Sequence, residues 1–223
     1  MLRGGSAGGR ARKEFQRSGV DRVDAGKLRR PWFAGGTIRA VSVQGDWHQP
    51  MGDESGFEDG TLNFLSIPDV EFGLRWLGQR APSCAELTLI HGDFRIGNLL
   101  VGPEGLAAVI DWEFAHVGDP HEDLAWPCVR DWRFGNDALH VGGVGELAPY
   151  LAAYESAAGR TIDHNALRWW EIMGNLRWAA TCHVQAQRHL SGADPSVELA
   201  SLGRRAAEME LEFLTLIEAL EGL

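Results

Sequence analysis

Apolar positions change their spacing several times along this chain, and each spacing predicts a different element. Leu87-Thr88-Leu89-Ile90 is a short continuous run that predicts a strand entering His91-Gly92-Asp93. Leu99-Leu100-Val101 and Leu106-Ala107-Ala108-Val109-Ile110 flank the turn residues Gly102-Pro103-Glu104-Gly105, the pattern of a β-hairpin. Ile38 to Val43 alternates as a strand does, and Val70, Phe72, Leu74, Trp76 and Leu77 outline a short helix between Asp69 and Gln79. Beyond Gly145 the apolar steps are helical. Asp163 is placed to cap a helix through Leu167, Trp170, Met173 and Leu176. Asp194-Pro195 predicts the start of a last helix carrying Leu202, Ala206, Met209, Phe213 and Leu220. Residues 1–28 show neither period and read as a disordered tail. Their run Gly4-Gly5-Ser6-Ala7-Gly8-Gly9 lacks the preceding strand of a phosphate loop. No internal repeat is present.

The chain has 223 residues, 44% apolar, enough for one ordinary core. No run nears the roughly 20 apolar residues that cross a bilayer, and no secretory leader is visible at the N-terminus. Cys84, Cys128 and Cys182 have no metal spacing and read as thiols of a reducing cytoplasm. The net charge of −10 is unevenly distributed: residues 1–30 carry +6 and the remainder −16. A body so acidic is a poor nucleic-acid binder. Only two lysines occur, Lys13 and Lys27.

The hairpin concentrates candidate chemistry. Asn98 precedes its first strand and Asp111 follows its second, so antiparallel pairing brings both to one open end. Asp93 leads into that end from the preceding strand. Two carboxylates and an amide oxygen, with no thiolate or spaced histidine pair, form an oxygen-only set suited to magnesium and phosphate.

The run His91-Gly92-Asp93-Phe94-Arg95-Ile96-Gly97-Asn98, then Ile110-Asp111-Trp112-Glu113, then Gly118-Asp119-Pro120-x-x-Asp123-Leu124, resembles the aminoglycoside phosphotransferase and choline kinase-like family. The resemblance runs from about Leu74 to the C-terminus and implies an α+β class, the mostly helical C-terminal lobe of a protein-kinase-like fold. It implies that Asp93 is the catalytic-loop aspartate that accepts the acceptor hydroxyl's proton, and that Asn98 and Asp111 hold magnesium on the phosphates of ATP. It also implies a cytoplasmic kinase with a nucleotide and a small-molecule acceptor as partners, and neither nucleic acid nor membrane. Around that centre, His91 reads as a backbone-bonded brace of the loop, and Asp119 and Asp123 as braces of the loop and helix start. Glu113 is open between an ion pair and a substrate contact, and Arg95 reads as solvated. The tryptophans at 126, 132, 169, 170 and 178 read as core, with an apolar acceptor wall as the second reading.

A kinase-like nucleotide lobe needs a phosphate-gripping lysine in a strand, and neither Lys13 nor Lys27 sits in one. That lobe is therefore expected to be missing. In its stead, Leu28-Arg29-Arg30-Pro31-Trp32-Phe33-Ala34-Gly35-Gly36-Thr37 and Phe57-Glu58-Asp59-Gly60-Thr61 resemble part of the class V aminotransferases, the cysteine desulfurase and molybdenum-cofactor sulfurase group. Residues 27–75 carry this second resemblance. Lys27 does not match the Schiff-base lysine motif, so no pyridoxal phosphate site is expected. The sequence thus divides into a tail (1–28), a foreign segment (29–73) that packs poorly on the rest, and a phosphotransferase lobe (74–223), with the join between Val70 and Gly78. The first functional reading is a truncated ATP-dependent phosphotransferase. The second is an inactive remnant or chimera, and the third a fragment of a pyridoxal-phosphate enzyme.

Overall fold

The computed structural model describes residues 67–84 and 86–222. The tail, the strand expected at Ile38–Val43, the class V-like motifs and the aromatic residues Trp32, Phe33, Phe57 and Phe64 lie outside the described residues. Among these residues the α-helices and β-strands follow in order, with short 3-10 turns between some of them: α1 (Pro68–Gln79), β1 (Thr88–Ile90), β2 (Leu99–Gly102), β3 (Gly105–Val109), β4 (His116–Gly118), α2 (Pro120–Ala125), α3 (Leu147–Ala158), α4 (His164–Leu190) and α5 (Val197–Glu221). No helix among the described residues is long and apolar enough to cross a membrane.

The last two helices form the platform. Contacts between α4 and α5 run backward along one as they advance along the other: Gly203 meets Ala186 and Glu210 meets His183, so the helices pack antiparallel. Asp163 caps α4 as its position predicts, its carboxylate accepting from Asn165 N at 2.8 Å and Ala166 N at 3.3 Å. The start of α5 differs from expectation. Asp194 is engaged by the helix before it, where its carboxylate accepts from Arg188 Nη2 at 2.7 Å and its N–H donates to Arg188 O. The helix instead begins at Val197, with Ser196 accepting from Leu199 N.

Helix α1 lies against this platform. Val70, Leu74 and Leu77 are buried, and Gly73 leaves so little room that a Cβ there would meet Leu176 Cδ1 at 2.5 Å and Phe213 Cε2 at 3.1 Å. Trp76 donates to Glu221 Oε1, and Trp169 donates to Leu77 O from the other side. The expected join between Val70 and Gly78 falls within this one continuous helix.

A second core cluster joins Leu124 and Ala125 of α2 to Leu151, Ile162 and Leu167, beneath Tyr150, Tyr154 and Trp170. It fixes α2 on α4. Arg133 is buried with Glu171 and also pairs with the partly buried Glu212. Its guanidinium donates twice to Cys128 O, which ties the turn after α2 to both long helices.

The strands form two separate antiparallel ladders, β1 with β4 and β2 with β3. The hairpin pairs Leu99 with Val109 and Gly102 with Gly105, with a register irregularity after Leu100. Its existence, direction and ends agree with the alternation of the sequence to within one residue.

Candidate active site

Three connections hold the loop His91–Asn98 in place. The first is Asp123, one turn into α2, whose carboxylate accepts from His91 N at 2.6 Å and Gly92 N at 2.9 Å. Burial pushes the Asp123 carboxyl above its ordinary value, against these two donors, which favour the charged form. The second is the His91 ring, 2% exposed, which bonds Ile110 O through Nε2 and accepts from Asp93 N at Nδ1. These two bonds put the ring proton on Nε2. The ring also packs against Trp112, with centroids 4.6 Å apart and the planes tilted by 56°. The third is Gly92, at φ +83°, where a Cβ would meet Phe114 O at 2.7 Å, so only glycine fits the bend into Asp93.

Asp93 and Asn98 touch. Asn98, buried beneath the hairpin, donates from Nδ2 to both Asp93 O and Asp93 Oδ2, at 2.9 and 2.8 Å. The amide nitrogen is thereby engaged, and the oxygen is the group Asn98 has left to offer a cation. Ile110 N donates to Asn98 O at 3.0 Å, continuing the ladder and setting the next residue, Asp111, at the same end of the hairpin. Asp111 is in the left-handed region at φ 69° and ψ 54°, a conformation that costs a non-glycine residue of order 1 kcal/mol or more. Its carboxylate is exposed and makes no hydrogen bond or ion pair among the described residues.

The remaining expected residues take distinct places. Asp119 caps α2 by accepting from His121 N, and also receives the His121 ring at 2.6 Å and Trp170 Nε1 at 3.1 Å. Burial alone would raise its pKa; the hydrogen bonds from the His121 ring, His121 N and Trp170 outweigh it and hold the carboxyl below its usual value. Asp119 therefore braces helix against helix, away from the carboxylate pair. Glu113 stands exposed on the turn after Asp111 and makes no ion pair among the described residues.

Sequence reasoning missed two groups at the centre. Arg95 is engaged within the site and only partly exposed: its Nε reaches back to both Asp93 oxygens, at 3.3 and 3.2 Å, while its guanidinium lies 4.9 Å over the Trp132 ring. Trp126 donates from Nε1 to Asp93 Oδ1 at 2.7 Å. Spacing carried a signal for it, since Trp126 lies three residues after Asp123 and one helical turn brings both to the same loop.

The donor set fits magnesium. No group of three or more His, Cys, Asp and Glu side chains able to hold a metal occurs among the described residues. The candidates are one amide oxygen and one unpaired carboxylate at a shared edge, the small protein contribution that magnesium completes with water and phosphate oxygens.

Comparison with known proteins bears on what this arrangement is. Residues 22–170 match the phosphotransferase enzyme family, so the match also runs through the segment with class V-like motifs. Acyl-CoA dehydrogenase family member 11 of Gallus gallus is 34% identical over 164 residues, covering 66% of this chain and 21% of that protein. Acyl-CoA dehydrogenase family member 10 of Mus musculus is 44% identical over 66 residues, 29% of this chain and 6% of that protein. The chain thus spans about a fifth or less of these curated relatives. A solved structure from Ralstonia eutropha JMP134, assigned as an aminoglycoside phosphotransferase, superposes with a TM-score of 0.55 at 28% identity, over 66% of this chain and 49% of that one. In fold, the described residues are α+β and mostly helical, the C-terminal lobe of a protein-kinase-like architecture. From its motifs, its hairpin and the span of the match together, the chain belongs to the phosphotransferase enzyme family.

Proposed function

We propose that this chain carries the catalytic half of an ATP-dependent phosphotransferase acting on a hydroxyl of a small molecule. One observation carries the reading: Asp93 and Asn98 are hydrogen-bonded, and Asp111 follows Ile110, whose N–H donates to Asn98 O at the same end of the hairpin. Asp93 Oδ1 and Oδ2 are the sites for orienting an acceptor hydroxyl and receiving its proton. Asn98 Oδ1 and the Asp111 carboxylate are the groups that would hold magnesium, which when bound neutralises phosphate charge during transfer. Arg95 supplies a cation beside them, in a chain with no lysine beyond Lys27. The family match and the solved relative support the reaction class.

That same scarcity of lysine favours a second reading, a lobe that binds magnesium and nucleotide without turnover. The test is incubation with γ-phosphate-labelled magnesium-ATP and a panel of neutral, cationic and anionic alcohols. Label transfer that disappears in Asp93→Asn supports the enzyme. Nucleotide binding without transfer across the panel supports the second reading, and neither binding nor transfer sinks both.

A further inference from the structure

We propose that Trp126 is a positioning residue for Asp93, and that Arg177 holds the indole in place. The inference rests on the phosphotransferase reading for its kinetic consequence, though not for the hydrogen bond itself. Of the side chains that donate to Asp93, Asn98 and Arg95 belong to the same loop and move with it. Trp126 does not. It lies at the end of α2, and its Nε1–H is the one side-chain donor to Asp93 that comes from outside the loop among the described residues.

The indole is itself locked. Trp126 is buried, and the Arg177 guanidinium from the middle of α4 lies 4.6 Å over its ring. Arg177 Nη1 in turn faces Glu122 Oε1 at 3.7 Å, and Glu122 Oε2 bonds His116 Nε2 at 3.1 Å. On its other flank Trp126 packs against Trp132, 5.7 Å between centroids, and Trp132 against Trp178 at 4.7 Å. Packing does not require a satisfied donor in this cluster, because buried Trp132 keeps an Nε1–H with no hydrogen-bond partner among the described residues. The Trp126 donor is directed at the one side chain in reach that the reaction uses.

The consequence is orientational. One Oδ1 lone pair of Asp93 is taken by Trp126, which fixes the carboxylate plane from outside the loop. Arg95 is partly exposed, with 29% of its side chain accessible. When it turns from Asp93 toward an incoming anion, the indole bond remains and the carboxylate keeps its rotamer for the acceptor hydroxyl. A near-attack geometry depends on that constancy.

The experiment is indole ¹⁵N–¹H spectroscopy on the full chain, with the Trp126 resonance identified by its loss in Trp126→Phe. A charge-assisted bond to carboxylate puts that proton at low field and protects it from exchange. Asp93→Ala should move it upfield further than any other indole resonance, and Arg177→Met should move it second most. A Trp126 resonance indifferent to Asp93→Ala overturns the proposal, whether or not the protein turns over. The kinetic arm is magnesium-ATP turnover: Trp126→Phe, which keeps an aromatic ring under Arg177, should lower kcat about tenfold with nucleotide KM within about twofold. An unchanged kcat in Trp126→Phe, beside an inactive Asp93→Ala, also overturns it. Full turnover in Asp93→Ala would instead strike the phosphotransferase reading, a result the indole resonance tells apart.

Discussion

The backbone N–H of His91 lies 2.6 Å from Asp123 Oδ2, across 32 residues of sequence, and Gly92 N completes the fork at the other oxygen. Only a group with two acceptor oxygens can satisfy both donors. Asp123→Asn substitutes an amide whose NH₂ must face one of them. The expected cost is about 1–3 kcal/mol, with fast exchange of the His91 and Gly92 amides. Thermal melting and hydrogen exchange read the two effects separately. Unchanged amide protection would show that the loop is held by its histidine alone.

The two carboxylates of the site should fail in different ways. Asp93→Asn keeps size and an acceptor oxygen but removes the proton acceptor that the proposed function assigns to Asp93, so turnover should fall by roughly 10²-fold or more while magnesium-ATP affinity holds. On the proposed reading Asp111→Asn removes a charge from the magnesium site, and should weaken magnesium-dependent binding about tenfold, equivalent to about 1.4 kcal/mol. Calorimetry and turnover in one buffer compare them, and the reverse pattern would exchange their roles.

Burial separates two arginines that both pair with glutamate. Arg133 reaches Glu212 at 2.8 Å and Glu171 at 3.3 Å with its side chain 5% exposed. Arg75 reaches Glu71 at 2.6 Å with its side chain 74% exposed. Arg133→Met takes one partner from Glu171, which keeps Arg168 and His140, and one from Glu212, which keeps Arg130, and it strips Cys128 O of both guanidinium donors, so it should cost about 1–3 kcal/mol. Arg75→Met should fall within about 0.5 kcal/mol of the parent. Denaturant melts of the two variants give the comparison, and similar losses would show that the buried network contributes no more than a surface pair.

His116 gives stability a pH dependence. The hydrogen bond to Glu122 raises its pKa above 6.5 in the folded chain, against desolvation by burial. A raised folded pKa means the protonated pair stabilises fully below the unfolded value and that the benefit is lost as pH rises through the folded one. The stability gap between the parent and His116→Gln should therefore be larger at about pH 5.5 than at about pH 8. A gap that widens toward alkaline pH would contradict the pairing.

What was legible in the sequence followed spacing. The hairpin announced itself because two apolar runs bracket the turn from Gly102 to Gly105, and that register brings Asn98 and Asp111 to the same end. Asp163 was legible because a cap is local, acting on donors two and three residues ahead. The start of α5 was not, because Asp194 is taken by Arg188 across a turn and a competing partner leaves no periodic trace. Arg95 misled for a related reason. A charged residue in a polar loop reads as solvated unless the carboxylate and the ring that flank it are known, and Trp132 is 37 residues away. Trp126 looked like core and is core. Its second attachment, to Asp93, is carried by the direction of one N–H, which composition does not record.

Helix α1 sets a practical limit on how this protein can be dissected. Motif similarity suggests cutting near Leu74, yet Val70 and Gly73 lie on the face that covers Leu176 and Phe213. A fragment begun at Leu74 would uncover those apolar side chains while keeping every residue of the candidate site. It would invite aggregation, and silence in an assay would then report a damaged scaffold rather than an incompetent centre. Recombinant boundaries belong upstream of Pro68, so that the catalytic question is put to a lobe whose hydrophobic floor is still closed.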